Sequence, residues 1–124
     1  MKIPLIIFIG GGLGSVARYL ANRWIVSQGV TVFPYGTFLV NIIGCFLIGF
    51  LVFITEKANI TAVEWRLFLV TGFCGGFTTF SSFAFENIQL LTNHQLFSFI
   101  LYTVGSIALG FLATYLGILL ARAF

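Results

Sequence analysis

Three long stretches of this sequence, residues 24–55, 67–85 and 87–121, contain no charged residue and are dominated by apolar side chains. A run of about 18 or more apolar residues is long enough to cross the hydrocarbon core of a bilayer as a helix. Charged residues make up only 7% of the chain, whereas a soluble domain carries about 25%. Because too few polar side chains remain to build a water-facing surface, the sequence predicts an integral membrane protein.

Four membrane-spanning helices fit the apolar pattern, at about residues 3–27, 36–55, 63–91 and 96–121. The connectors are short, as expected for antiparallel helices packed directly against each other, so residues 1–124 are predicted to form a single transmembrane domain of the all-α class. The pattern at Lys2 and the apolar residues after it is also found in signal peptides. We interpret this segment as a retained first span, because a convincing cleavage site does not follow it.

The net charge of +3 is scattered along the chain. Nucleic-acid binding needs clustered Lys and Arg, so this class of partner is excluded. With four spans, the two termini and the connector between the second and third spans share one side of the membrane, here called the near side. The Lys and Arg excess on the near side is small, which leaves insertion in both orientations open.

The candidate chemistry of the polar side chains does not favour an enzyme. Cys45 and Cys74 lie in apolar segments with no CxxC motif, which favours small buried side chains over a disulfide or a metal site. His94, the only histidine, falls in a short polar turn. The pattern offers no nucleophile–base pair or metal-ligand cluster, so catalysis is the least favoured function.

Polar and aromatic residues from all four spans fall at similar depth, given a helical rise of about 1.5 Å per residue. They are Arg18, Asn41, Phe80, Phe83, Tyr102 and Ser106. Individually, Arg18 can extend to the interface, Tyr102 can belong to an interfacial belt, and Ser106 can bond its own backbone. Asn41 has up to four hydrogen-bonding sites, and bonding between helices is its alternative role. Since all four spans contribute, the layer favours a path for something polar.

The segment GFCGGFTTFSSF, residues 72–83, places glycines and hydroxyls inside the apolar third span. Gly75 and Gly76 lower helix propensity by about 1 kcal/mol each, and the hydroxyls compete for backbone bonds. A break at this point would free carbonyl groups that persist in a membrane only beside protein, water or an ion. A close helix crossing without a break is the alternative. Phe80 and Phe83 share a face, and their positive ring edges suit a small anion.

Three motifs carry a family resemblance: GGGLGSVARY at 10–19, GTFLVNIIG at 36–44 and GFCGGFTTFSSF at 72–83. With the four-span layout, they resemble the Fluc/CrcB fluoride-channel family over essentially the whole chain. The resemblance implies an antiparallel, dual-topology homodimer whose third helix breaks in the middle of the membrane. It also implies a structural sodium ion at the dimer two-fold axis, held by the backbone carbonyls of Gly75 and Thr78 from both subunits, and no organic cofactor.

The same resemblance assigns an ion pathway and two rim residues. The pathway residues would be Asn41, Thr79, Phe80, Ser82, Phe83, Tyr102 and Ser106. Arg18 would sit at a vestibule, and Glu86 near the opposite rim. Two positions depart from the family pattern: Ser82 stands where Thr is common, and Gly110 replaces a hydroxyl residue of some members, for which Thr114 would substitute only partly.

The implied function is passive, fluoride-selective export from the cytoplasm through the cell membrane (the inner membrane) of a bacterium, which lowers fluoride toxicity. Fluoride rests on the resemblance alone, because hydroxyls and ring edges suit other small anions. A proton-coupled multidrug exporter is disfavoured, since it needs a carboxylate in the first span, where this chain has Arg18 and Arg23. A structural membrane subunit is the third alternative, and the polar layer argues against it.

Overall fold

The computed structural model describes residues 2–58 and 62–124. Four helical segments in this part of the chain are long and apolar enough to cross a membrane: Lys2–Ser27, Tyr35–Lys57, Val63–Thr92 and Leu96–Arg122. The first, second and fourth are continuous helices, which we number α1 (Lys2–Ser27), α2 (Tyr35–Lys57) and α6 (Leu96–Arg122). The predicted all-α fold with four spans is therefore confirmed. The predicted connector at 56–61 lies partly outside the described residues.

The third span is a succession of helical pieces rather than one helix. It comprises α3 (Ala62–Arg66), a π-helix (Leu67–Cys74), α4 (Gly75–Phe77) and α5 (Phe80–Thr92). Between α4 and α5 the backbone is extended, with φ/ψ of −87°/156° at Thr78 and −149°/119° at Thr79. The predicted break in the third helix is confirmed, but the break follows the Gly75-Gly76 pair, whose residues remain helical.

Close backbone packing against α1 positions the π-helix and α4. A Cβ atom at Gly10 would clash with the carbonyl oxygen of Phe68, and one at Gly14 with that of Phe73. On the opposing segment, a Cβ atom at Gly76 would clash with the carbonyl oxygen of Gly11. Small residues let membrane helices approach to this distance. Gly10, Gly14 and Gly76 therefore let α1 pack directly against the backbone of the third span.

The second close pair is α2 with α6. A Cβ atom at Gly49 would clash with the carbonyl oxygen of Thr114, and one at Gly117 with that of Phe46. Ala113, on the same face of α6 as Gly117, is buried. The bundle thus consists of two tightly packed pairs, α1 with the first half of the third span and α2 with α6, and the break in the third span faces the seam between them.

Charged side chains on the near side join α3 to its neighbours. Lys2 Nζ lies 2.7 Å from Glu64 Oε1, and Arg66 Nη2 lies 3.3 Å from Glu56 Oε1. Such exposed pairs contribute at most about 1 kcal/mol each to stability.

Candidate functional site

A groove of about 530 Å³ opens along one side of the protein, between α2, the broken third span and α6. Five predicted pathway residues line it: Asn41, Thr79, Phe80, Phe83 and Ser106. Gly75 and Thr78, the predicted sodium ligands, also line it. Ser82, Tyr102, Arg18 and Glu86 are not among the lining residues. The structure therefore brings most of the predicted pathway together with the helix break.

The Asn41 side chain holds the break open through two hydrogen bonds to one residue. Its Oδ1 accepts from the backbone N–H of Thr79 at 2.8 Å, and its Nδ2 donates to the carbonyl of Thr79 at 3.1 Å. In a continuous helix the Thr79 N–H would donate to the carbonyl of Gly75. That carbonyl therefore loses its helical donor. Since an amide carries two N–H groups, Asn41 keeps one for the groove.

Thr79 also starts the helix that follows the break. Its Oγ1 accepts from the backbone N–H of Ser82 at 3.2 Å, which makes Thr79 the N-cap of α5. The hydroxyls of Ser81 and Ser82 lie 3.2 and 3.3 Å from the same oxygen. The N-terminus of α5, with the positive end of its dipole, is thus fixed at the groove. Ser82 belongs to this cap instead of the groove lining.

The two pathway phenylalanines lie side by side but in different environments. The ring centroids of Phe80 and Phe83 are 5.8 Å apart, with an interplanar angle of 40°. Phe80 is 79% exposed and projects from the outer side of the protein. Phe83 packs inward against Tyr102, with centroids 4.9 Å apart and ring planes at 60°. The pair thus spans the boundary between the groove and the interior.

Tyr102 is completely buried and links three helices instead of lining the groove. Its hydroxyl donates to Glu86 Oε2 at 3.1 Å, and the Thr37 hydroxyl donates to Glu86 Oε1 at 2.5 Å. Glu86 also lines a separate polar cavity of about 270 Å³ with Gln89, Asn93 and Gln95. That cavity lies toward the far end of the bundle, so Glu86 stands between it and the buried tyrosine.

The Arg18 side chain reaches the break in the third span. Its Nη1 donates to the carbonyl of Thr78 at 3.4 Å. A carbonyl oxygen has two lone pairs, so this contact leaves the second one for another donor or a cation. Gly75 is exposed at the groove. A Cβ atom built on it would have no heavy atom within 4 Å apart from its own helix backbone and chain neighbours.

Backbone oxygens are the ligands that this site offers to a hard cation. Within residues 2–58 and 62–124 there is no group of three or more His, Cys, Asp or Glu side chains that could hold a metal. By contrast, the Gly75 carbonyl is released from its helical donor, and the Thr78 carbonyl keeps a lone pair. The two predicted ligands therefore fit an alkali cation chemically, with two oxygens from one chain.

Sequence comparison places the chain in a family. Residues 5–118 match the CrcB family, described as "CrcB-like protein, Camphor Resistance (CrcB)". This chain belongs to the CrcB family. Similar proteins named fluoride-specific ion channel FluC occur in Phocaeicola vulgatus, at 52% identity over 95% of this chain and 97% of the relative, and in Rhizobium meliloti, at 46% identity over 99% and 98%. The Flavobacterium psychrophilum protein of that name is 48% identical over 98% of both chains.

The resemblance to the Fluc/CrcB family is thereby confirmed. The relatives are named as ion channels, so the CrcB chain belongs to a family of channels and not of enzymes. With four helices that can each cross a bilayer, it is a multi-pass membrane protein of bacterial type.

Thr114, the predicted partial substitute for a hydroxyl at position 110, does not reach the groove of this CrcB protein. The Thr114 hydroxyl donates to the carbonyl of Gly110 at 3.0 Å, one turn back on the same helix. Gly110 lines the groove, but Thr114 lines a different, near-side cavity with Gly49 and Glu56. Thr114 therefore does not replace a hydroxyl at position 110.

Sequence reasoning missed several polar and aromatic partners of the site. Thr37 precedes Asn41 by one helical turn, so its spacing could have pointed to the same face of α2. Asn87 is buried and accepts from the Thr103 hydroxyl at 3.3 Å, but neither residue stands out from the sequence. Phe33, in the connector before α2, packs edge-on against Tyr102 with centroids 5.4 Å apart. Such a contact between distant segments has no local signal.

Proposed function

We propose that this CrcB protein is a channel that conducts fluoride passively out of the cytoplasm. The observation that carries an ion path is the broken third span, where the Asn41 amide and the N-terminus of α5 lie at a groove along the side of the membrane-spanning bundle. The choice of fluoride is supported by relatives of 46–52% identity that are named fluoride-specific ion channels.

The groove presents hydrogen-bond donors to an anion at several points. Asn41, which has a second N–H group, and Ser106, whose hydroxyl is buried with no partner in the described residues, both line this space. The N-terminus of α5 adds positive partial charge, and the phenylalanine ring edges add more. Fluoride that leaves water needs donors to replace its hydration shell, and this set supplies them without a carboxylate in the lining.

Export down a gradient requires no energy source. Hydrogen fluoride is a weak acid that crosses membranes in its neutral form and dissociates in a near-neutral cytoplasm, where the charged anion is trapped. An open path for the anion then lowers the internal concentration and its toxicity.

We further propose that two copies assemble as an antiparallel homodimer. The groove is open along the side of a single chain, where lipid would meet the exposed Gly75 and its carbonyl, which has lost its helical donor. Exposed backbone polar groups are costly in hydrocarbon, so a covering partner is required. A second copy supplies a self-complementary surface around a two-fold axis. The small near-side charge excess is compatible with insertion in both orientations.

We also propose that a sodium ion occupies the two-fold axis of this dimer. Each chain would contribute the carbonyl oxygens of Gly75 and Thr78, which gives four oxygen ligands in the pair. The cation would join the two broken helices and place positive charge near the anion path.

Fluoride efflux from liposomes that contain the purified protein tests the proposed function. We expect rapid fluoride release and little chloride release, measured with ion-selective electrodes after a counter-ion pathway is opened. Release of fluoride at the rate of protein-free liposomes would refute the channel.

Replacing sodium by the large cation N-methyl-glucamine at constant ionic strength is expected to weaken the assembly. A ligand that binds only the folded dimer raises stability by about RT ln(1 + [L]/Kd), so the unfolding midpoint should rise with sodium concentration. Thermal unfolding and size-exclusion chromatography in detergent measure both effects. Equal stability and equal dimer content in the two salts would rule out the sodium proposal while leaving the flux result unaffected.

Replacing Phe80 by isoleucine is expected to reduce fluoride flux by about fivefold with the dimer intact. An aromatic edge contact is worth about 1 kcal/mol, and about 1.4 kcal/mol in a barrier is a factor of ten. Phe97→Ile is the matched control, because Phe97 is also 79% exposed but lies at the start of α6, outside the groove lining. Equal flux in the two variants would show that the Phe80 ring has no part in conduction.

A further inference from the structure

The polar lining that α6 gives to the groove stops at Ser106. Ser106 and Gly110 follow one another at four-residue spacing and both line the groove. Gly110 has no side chain to offer, and its carbonyl already accepts from Thr114 at 3.0 Å. One turn beyond Ser106 toward the near side, α6 therefore contributes no donor of its own.

The thiol of Cys45, on α2, stands opposite this gap. A Cβ atom built at Gly110 would lie 3.5 Å from Cys45 Sγ, an ordinary van der Waals contact, with no other described atom within 4 Å. Cys45 follows Asn41 by one helical turn and lines the same groove. Its thiol is free and half-buried. The sulfur thus lies where a side chain at position 110 would project.

The neighbouring Ser106 hydroxyl leaves a hydrogen-bond donor unused beside this part of the groove. Its Oγ is buried without a hydrogen-bond partner among the described residues. Leaving a buried hydroxyl unpaired costs about 1–3 kcal/mol, so a ligand that accepts its hydrogen bond is favoured. Ser106 and Cys45 line the same groove.

We propose that Cys45 is a further ion-contacting residue, whose S–H group donates to the anion at the level of Gly110. The proposal rests on the proposed channel function. It extends the series of donors from the Asn41 amide and the Ser106 hydroxyl by one turn toward the near side. A thiol is a weaker donor than a hydroxyl or an amide. The Cys45 level therefore binds the ion least tightly, which favours release, since a conducting ion must leave each site as readily as it enters.

Three variants separate hydrogen bonding from packing at this level. Cys45→Ala is expected to lower fluoride flux by roughly three- to tenfold, the effect of one weak hydrogen bond. The double variant Cys45→Ala/Gly110→Ser is expected to recover flux to about the wild-type rate, because a hydroxyl then takes the place of the thiol. Cys45→Ala/Gly110→Ala fills the same space without a donor and is expected to stay as slow as Cys45→Ala.

Two outcomes of the flux series would overturn the proposal. Wild-type flux in Cys45→Ala would show that the thiol does not contact the ion. Equal recovery by Gly110→Ser and Gly110→Ala would show that Cys45 only fills space. In both cases the wild-type channel still conducts, so these failures are distinct from failure of the proposed function, which appears as wild-type flux no higher than that of empty liposomes.

Infrared spectroscopy of the S–H stretching band gives a readout that does not depend on flux. The band of Cys45, assigned by its loss in Cys45→Ala, is expected to move to lower frequency when fluoride is added to the purified protein. Because Cys74 lines the same groove, the shift is measured in a Cys74→Ala background, where Cys45 is the remaining thiol. A Cys45 band that does not move at saturating fluoride contradicts the proposal, whatever the transport result.

Discussion

Replacing Asn41 by alanine is expected to destabilise the protein by about 2–6 kcal/mol and to remove most of its fluoride flux. The Asn41 amide satisfies both the N–H and the carbonyl of Thr79, at 2.8 and 3.1 Å, and Thr79 is only 8% exposed. A buried polar group that loses its partner costs about 1–3 kcal/mol, and two are left here. Flux falls as well, because the break loses its support and the groove loses a donor.

Two further variants test whether the effect of Asn41→Ala comes from its hydrogen bonds to Thr79. Asn41→Asp keeps an acceptor for the Thr79 N–H but lacks the N–H that bonds the carbonyl, so a smaller loss of stability is expected. Its carboxylate would repel an anion, so flux should remain low. Asn93→Ala, at the exposed turn before α6, is the control and should change neither property. Denaturation in detergent and liposome efflux supply the two measurements. Asn41→Ala with wild-type stability would show that Asn41 does not hold the break.

Replacing Gly14 by alanine is expected to be the most damaging of the small-residue changes. The new Cβ would clash with the carbonyl of Phe73 and lie 2.9 Å from the backbone nitrogen of Phe77. Neither contact can be relieved by a side-chain rotation, so α1 must separate from the π-helix and α4. Overpacking of this kind costs about 1–3 kcal/mol, and sometimes more. Since α4 leads directly into the break, flux should fall with stability.

Gly12→Ala is the matched control for Gly14→Ala. Gly12 lies on the same helix two residues earlier, and a Cβ there would meet no described atom within 4 Å. Alanine is favoured over glycine inside a helix by about 1 kcal/mol, so Gly12→Ala should be neutral or stabilising. If the two alanine variants unfold at the same denaturant concentration, the close approach of α1 to the third span is not what stabilises the bundle.

The four spans could be predicted because hydrophobic length is a local property of the sequence. The existence of a break in the third span was predictable for the same reason, since glycines and hydroxyls weaken the helix at residues 75–82. Which residues within the Gly-Gly-x-Thr-Thr stretch leave the helix was not predictable. The extended residues are Thr78 and Thr79, and the side chain that fixes them, Asn41, is on another helix. The glycine expected to open the helix, Gly76, instead allows contact with Gly11.

Depth along a helix predicted the height of the site residues but not the direction in which they point. Asn41 and Ser106 both face the groove, whereas Tyr102, one turn from Ser106, turns inward to Glu86. The inward orientation of Tyr102 depends on the side chains of Thr37 and Phe83, which belong to other segments of the chain. The π-helix at Leu67–Cys74 also has no signal in the sequence, and we attribute it to the backbone contact with α1.

The proposed ion path and the proposed cation site both depend on one feature: the third span is not helical at Thr78 and Thr79. Solid-state NMR of the protein in lipid bilayers tests it most directly, through the backbone and Cβ chemical shifts of residues 75–83. We predict extended-type shifts at Thr78 and Thr79, with helical shifts at Phe77 and from Phe80 onward. Helical shifts at every residue from Gly75 to Phe83 would contradict it.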